Sequence, residues 1–244
     1  MTETRQVRTI AVVVGALFWI SNLATLIGGV ITGTIPDAAG ALTGFYPHAG
    51  SVVAGTLIDH VNDVAIVGYA VALYPVLRRF GQGAALGYAA FKVVEGVLLL
   101  VSAAMLLSLI PLSQSYLGGS AGGASALRAV AAVTLSQQFW TARLATLAYL
   151  VATPILNVLL YRSRLVPRFI PVWGLVALVM LAAGIALGVG NPTSGLQPGQ
   201  LLVVPIILWE LLFATWLIVR GFNPAARDGE PAPSPAQPLA PVSD

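Results

Sequence analysis

Six long apolar stretches, separated by short polar interruptions, organise the chain. They run from about Thr9 to Ile31, Ser51 to Leu77, Ala84 to Ile110, Phe139 to Tyr161, Phe169 to Val189 and Leu201 to Arg220. Each is close to the roughly 20 residues that cross a bilayer core as a helix. The pattern predicts an all-α integral membrane protein, six transmembrane helices in one bundle. Arg5 and Arg8 ahead of the first stretch resemble the charged start of a signal peptide. That stretch is too long for a signal sequence and further spans follow, so an uncleaved first helix is expected.

The interruptions carry their own expectations. Pro111 should stop the third span, and Pro154 should kink the fourth. The Gly-rich region Ser113 to Gly123 leads into a short helical pattern from Ser125 to Leu135. With Ser125 as its cap, this predicts a short surface helix before the fourth span. Asn191-Pro192-Thr193-Ser194-Gly195 reads as a loop before the sixth. From Pro224 onward, Pro231, Pro233, Pro235, Pro238 and Pro241 punctuate an Ala/Ser-rich segment that cannot bury a core. The expected organisation is a six-span domain over residues 1–223 and a disordered cytoplasmic tail over 224–244.

Composition strengthens the membrane reading. Of 244 residues, 57% are hydrophobic and 9% charged, against about 25% charged in a typical soluble domain. Cysteine is absent, which removes disulfides, thiolate metal sites and a cysteine nucleophile. A net charge of +3 would suggest nucleic acid in a soluble chain, but here the basic residues lie in short connections and no nucleic-acid partner is expected. Arg5, Arg8, Arg78, Arg79, Arg162, Arg164, Arg168, Arg220 and Arg227 fall on one side of the six spans, and Arg128 on the other. The positive-inside rule then predicts that both termini are cytoplasmic.

Small residues four apart (Gly29 and Gly33, Gly83 and Gly87, Gly184 and Gly188) predict close helix packing, within one bundle in preference to a dimer interface. Trp140 and Trp173, near span ends, are expected at headgroup level, and Trp209 inside the bundle. The second span's acidic cluster has no counterpart in the fifth, so an inverted repeat is not supported.

Several span ends form a recognisable series. Leu73-Tyr74-Pro75-Val76-Leu77-Arg78-Arg79 closes the second span, and Phe91-Lys92-Val93-Val94-Glu95 lies in the third. Leu160-Tyr161-Arg162-Ser163-Arg164-Leu165-Val166-Pro167-Arg168 joins the fourth to the fifth. Trp209-Glu210-Leu211-Leu212-Phe213-Ala214-Thr215-Trp216 opens the motif that continues to Phe222. In order and spacing these resemble the bacterial membrane family called domain of unknown function 4386, over roughly Arg5 to Asn223. The family often has Arg where this chain has Lys92, which keeps charge but loses bidentate geometry. The resemblance implies a multi-pass protein of the bacterial cytoplasmic membrane and carries no activity with it.

Ionisable groups inside the spans carry the candidate chemistry. A central Asp costs about 2.5–3.5 kcal/mol on insertion scales, so such groups face a partner or a cavity. At about 1.5 Å per residue, Asp63, Glu95 and Glu210 fall near mid-membrane. Asp59, His60 and Arg143 fall in the outer third, and Lys92 in the inner third. Asp59 and Asp63 share a helix face, as do Lys92 and Glu95. The economical arrangement pairs Arg143 with Asp59, and Lys92 with Glu95 or Asp63. At least one of Asp63, Glu95 and Glu210 is then left without a cation, to be hydrogen-bonded by Asn62, Tyr69 or Asn157.

The candidate ligand or proton site is therefore Asp59, His60, Asn62, Asp63, Lys92, Glu95, Arg143 and Glu210. Three functions remain open for it. One is a proton-linked or polar-solute binding and transport site, with a homo-oligomer or membrane partner completing so small a protein. Another is a polar core that only fixes helix packing, as in a structural or accessory membrane protein. The third is a membrane-embedded enzyme in which His60 and the nearby acids hold a metal or act as base and orienter. No serine stands in a nucleophile context, no nucleotide fingerprint is present, and no cofactor is specified.

Overall fold

The computed structural model describes residues 2–119, 123–186 and 198–223. The Asn191–Gly195 loop, Gly188 and the proposed tail lie outside these residues. The described chain is helical: α1 (Thr2–Thr32), α2 (Ala38–Gly44), α3 (Ala49–Leu77), α4 (Gln82–Leu117), α5 (Ala124–Ser163), α6 (Phe169–Ala186) and α7 (Val204–Val219). All but α2 are long and apolar enough to cross a membrane, α7 together with the helical turn before it as Leu201–Val219. The six spans contact one another in the order α1, α3, α4, α5, α6, α7 and back to α1, so they close a ring.

Arginines collect at one end of this ring, where α1, α4 and α6 begin and α3, α5 and α7 end. Arg8 ties that end together. Its guanidinium donates to the carbonyls of Leu217 (3.2 Å), Ile218 (2.6 Å) and Val219 (3.3 Å) in the last turn of α7, where a helix C-terminus runs short of intrahelical donors. The ring's interior at this end is filled by aromatic side chains. Phe18 stacks on Tyr69 at 4.0 Å between ring centres and meets Phe213 edge-on at 5.4 Å. Trp209 stacks on Phe213 at 5.8 Å, and its indole N–H donates to the Ile170 carbonyl at 2.9 Å. Trp209 is thus inside the bundle, while Trp140 and Trp173 are exposed.

The opposite end departs from the sequence expectation. No separate surface helix precedes the fourth span: Ser125–Leu135 forms the first turns of the 40-residue α5. The polar run Ser136-Gln137-Gln138 contains no Gly or Pro to break it. Nor does Pro111 stop the third span, because α4 continues through it to Leu117. At 1.5 Å per residue, α4 and α5 are about 54 and 60 Å long, so both project well past a hydrocarbon core of about 30 Å. The projecting parts are held by a second core of Ala41, Leu42, Phe45, Val52, Leu106, Leu109 and Ala131. Buried Ser113 hydrogen-bonds α2 to it, donating to the Leu42 carbonyl at 2.8 Å and accepting from the Tyr46 N–H at 2.9 Å. The apolar face of Ser125–Leu135 therefore meets protein, which is why it does not lie on the membrane.

The glycine pairs also need correction. A Cβ at Gly29, Gly33 or Gly83 would meet nothing within 4 Å, and one at Gly87 only the Ile155 side chain at 3.8 Å. Gly33 instead ends α1, in the left-handed conformation (φ 76°) with its N–H bonded to the Gly29 carbonyl at 2.9 Å. The close crossings are elsewhere. A Cβ at Gly28 would stand 2.7 Å from the Gly55 carbonyl oxygen and 2.8 Å from the Asp59 nitrogen, so α1 and α3 meet backbone to backbone.

Candidate binding cavity

Above the aromatic layer, on the side away from the arginines, the spans line a partly open cavity of about 530 Å³. Polar groups from five spans reach its wall: Asn22 of α1, Asn62 of α3, Glu95 of α4, Tyr149 of α5 and Glu210 of α7 among them. A smaller cavity of about 230 Å³ adjoins it towards the far end, lined by Asp59 and Asp63. The division follows from helical geometry. Residues four apart on α3 share a face, so Asp59 and Asp63 enter one cavity and Asn62, turned by one residue, enters the other.

The polar side chains form two hydrogen-bonded sets. In the first, His60 Nδ1 lies 2.9 Å from Asp63 Oδ2, and Asn62 Nδ2 donates to Asp63 Oδ1 at 3.3 Å. Asn62 Oδ1 accepts from the Ser21 hydroxyl, which links the set to α1. Asp63 is 3% exposed, and both of its oxygens are engaged, as a buried carboxylate requires.

In the second set, Lys92 Nζ and Glu95 Oε2 stand 2.9 Å apart, one helical turn apart on α4 and both buried. The ammonium also lies 4.3 Å from the Tyr149 ring centre and 5.4 Å from that of Tyr69, where the ring faces attract a cation. Tyr149 passes the connection on, its hydroxyl donating to Glu210 Oε1 at 2.9 Å. Asn22 Nδ2 donates to the other oxygen at 3.1 Å. Lys92, Glu95, Tyr149, Glu210 and Asn22 thus form one chain of contacts through four spans.

Two expected contacts are absent. Arg143 is placed away from Asp59: it lines a third cavity, of about 680 Å³, with its guanidinium 5.0 Å from the Phe139 ring centre. The groups beside Asp59 are Thr25 and His60, and Asp59 Oδ1 is buried with no hydrogen-bond partner among the described residues. Asn157 does not enter either set. It lies fully buried on α5, with Nδ2 donating to the Thr153 carbonyl at 2.9 Å.

Ser21, Asn22 and Tyr149 are the participants that sequence reasoning missed. The available signal was two consecutive polar residues, Ser21 and Asn22, in the middle of an otherwise apolar span. Tyr149 carried none, since a tyrosine on a membrane helix is as easily an interfacial anchor.

No group of three or more His, Cys, Asp or Glu side chains placed to hold a metal ion occurs among the described residues. What the arrangement offers is carboxylate in excess of fixed cation. Among the described residues Lys92 is matched by Glu95, Asp63 is matched by His60 and Asn62, and Glu210 is held by two neutral donors, Tyr149 and Asn22.

These features define the class: a six-span helical membrane protein with polar cavities inside its bundle. The chain belongs to the family described as domain of unknown function (DUF4386), whose model matches residues 13–221 and so takes in all six spans. No curated protein and no solved structure matches it.

Proposed function

We propose that this is a multi-pass protein of the bacterial cytoplasmic membrane, both termini cytoplasmic, that binds a small cationic or polar solute and exchanges it with protons across the bilayer. One observation carries the reading. Glu210 stands in the wall of a solute-sized cavity, hydrogen-bonded by Tyr149 and Asn22 and paired with no lysine or arginine among the described residues. Intramembrane carboxylates facing a cavity mark solute and proton pathways. The Phe18, Tyr69 and Phe213 layer lies under the cavity, so this conformation is closed towards the arginine-rich end, as one state of an alternating-access cycle would be.

The test is reconstitution into liposomes carrying an entrapped pH-sensitive dye. Wild type should support proton movement driven by gradients of small alkylammonium or amino-alcohol cations. Glu210→Gln and Asp63→Asn should lose it while still assembling, with melting temperatures lowered by no more than a few degrees. Unchanged flux in both variants would overturn the proposal.

The packing reading has its own support in buried Lys92, which is paired with Glu95 on its own helix and set against the rings of Tyr149 on α5 and Tyr69 on α3, so that it bridges three spans. Variants that assemble poorly instead of losing flux would favour it.

A further inference from the structure

The arginine-rich end carries a separate pocket of about 470 Å³, between the α5–α6 connection and the end of α7. Its polar wall is Arg164, Arg168 and Arg220, and its floor is Leu165, Trp216 and Phe222. Among the described residues no acidic side chain lines it. None of the three guanidinium groups has a carboxylate partner among the described residues. Arg8, close by, differs because its donors are already spent on the α7 carbonyls.

The pocket is built, not incidental. Asn223 N donates to the Leu165 carbonyl at 2.8 Å, which fastens the chain after α7 onto the α5–α6 connection. Arg164 caps α5 in the left-handed conformation, φ 55°, where Gly or Asn is the ordinary residue. It is the only non-glycine residue with positive φ among the described residues. A backbone conformation that disfavours a long side chain is here combined with a side chain that aims charge at the pocket rim.

Location identifies the ligand. Trp216 packs edge-on against Phe169 at 6.3 Å, and Arg168 lies over the Tyr161 ring at 5.1 Å. Aromatic rings at span ends mark the level of the lipid headgroups. Basic pockets between spans at that level suit anionic headgroups, and arginine forks match phosphate oxygens. We propose that this pocket binds the phosphodiester headgroup of an anionic phospholipid, with Arg164, Arg168 and Arg220 on the phosphate and Trp216 and Phe222 against the glycerol end. The site is independent of the bundle cavity and of what that cavity binds.

Native mass spectrometry of the full chain, titrated with phosphatidylglycerol, phosphatidylcholine or inorganic phosphate, tests this. Phosphatidylglycerol should bind in preference to phosphatidylcholine, and inorganic phosphate should not compete at equal concentration. Each arginine near the surface contributes about fivefold, so Arg164→Gly with Arg168→Gln and Arg220→Gln should weaken Kd on the order of a hundredfold. Arg128→Gln, at the opposite end, should leave it unchanged. Arg164→Gly alone settles the matter if the triple variant does not fold, because glycine suits that backbone. It should keep or raise the melting temperature while weakening phosphatidylglycerol binding about fivefold. Wild-type affinity in Arg164→Gly, equal binding of the two lipids, or inorganic phosphate binding as well as phosphatidylglycerol would overturn the proposal.

Discussion

Lys92 shows how a single charge is made tolerable in a membrane interior. It sits 2% exposed, yet its ammonium has a carboxylate at 2.9 Å and two tyrosine faces around it. The pair is energetically lopsided: forming it roughly offsets two desolvation costs, whereas removing one member strands the other. Lys92→Met should therefore destabilise the protein by about 3–5 kcal/mol, and Lys92→Met with Glu95→Gln should recover most of that loss. Reversible unfolding in mixed micelles would measure both, and additive losses in the double variant would show that the two side chains are not coupled. Glu210 should respond differently. Gln at this position retains an oxygen that can accept from Tyr149, so Glu210→Gln should cost only about 1 kcal/mol of stability. A much larger loss in the same unfolding assay would mean that the negative charge itself holds α7 in place.

Among the elements, the crossing of α1 and α3 decides where the acidic face of α3 points. Gly28 and Gly55 let the two backbones touch, which sets Asp59 against the first span and brings Ser21 to Asn62. A methyl group added at Gly28 has no flexible neighbour to displace, since backbone atoms at 2.7 and 2.8 Å confront it. Gly28→Ala should cost about 1–3 kcal/mol through overpacking, and Gly83→Ala, in open space, should be neutral or stabilise by up to about 1 kcal/mol. Equal melting temperatures for the two variants would contradict the crossing described. Spacing alone pointed to the wrong glycines, because a small residue every fourth position reports a permissive face and not which face meets a neighbour. The same limit applies to the polar groups. Their places along the spans were legible, as was the turn that separates Lys92 from Glu95, because both depend only on position along one helix. The Glu210 partners depend on which helices are adjacent. Ring closure, with α1 lying against α7, brings Asn22 within reach of Glu210, and no local pattern encodes that closure. Arg143 went astray for a related reason. Its depth matches that of Asp59, but α5 turns it towards Phe139 and a different cavity.

At the scale of the whole molecule, the six spans were legible because lipid imposes one length and one composition on every crossing, and the structure has six such helices. The projecting ends of α4 and α5 were not legible, because beyond the hydrocarbon region that constraint lapses and an amphipathic segment fits a membrane surface or a protein neighbour equally well. Charge predicts which face is cytoplasmic. Arg78, Arg79, Arg162, Arg164, Arg168 and Arg220 occupy the helix ends on one side of the ring, and Arg128 lies beside Tyr116 on the projecting α4–α5 hairpin. The positive-inside rule predicts the first group in the cytoplasm and the hairpin outside. The chain lacks cysteine, so single cysteines can report accessibility without altering a native background. Ser125→Cys lies exposed near the tip of the hairpin, and Gln82→Cys lies exposed at the start of α4, on the arginine side. In intact cells a membrane-impermeant maleimide should label Ser125→Cys and spare Gln82→Cys, and opening the cells should make both react. The reverse pattern would invert the protein, and with it the side to which the aromatic layer seals the cavity.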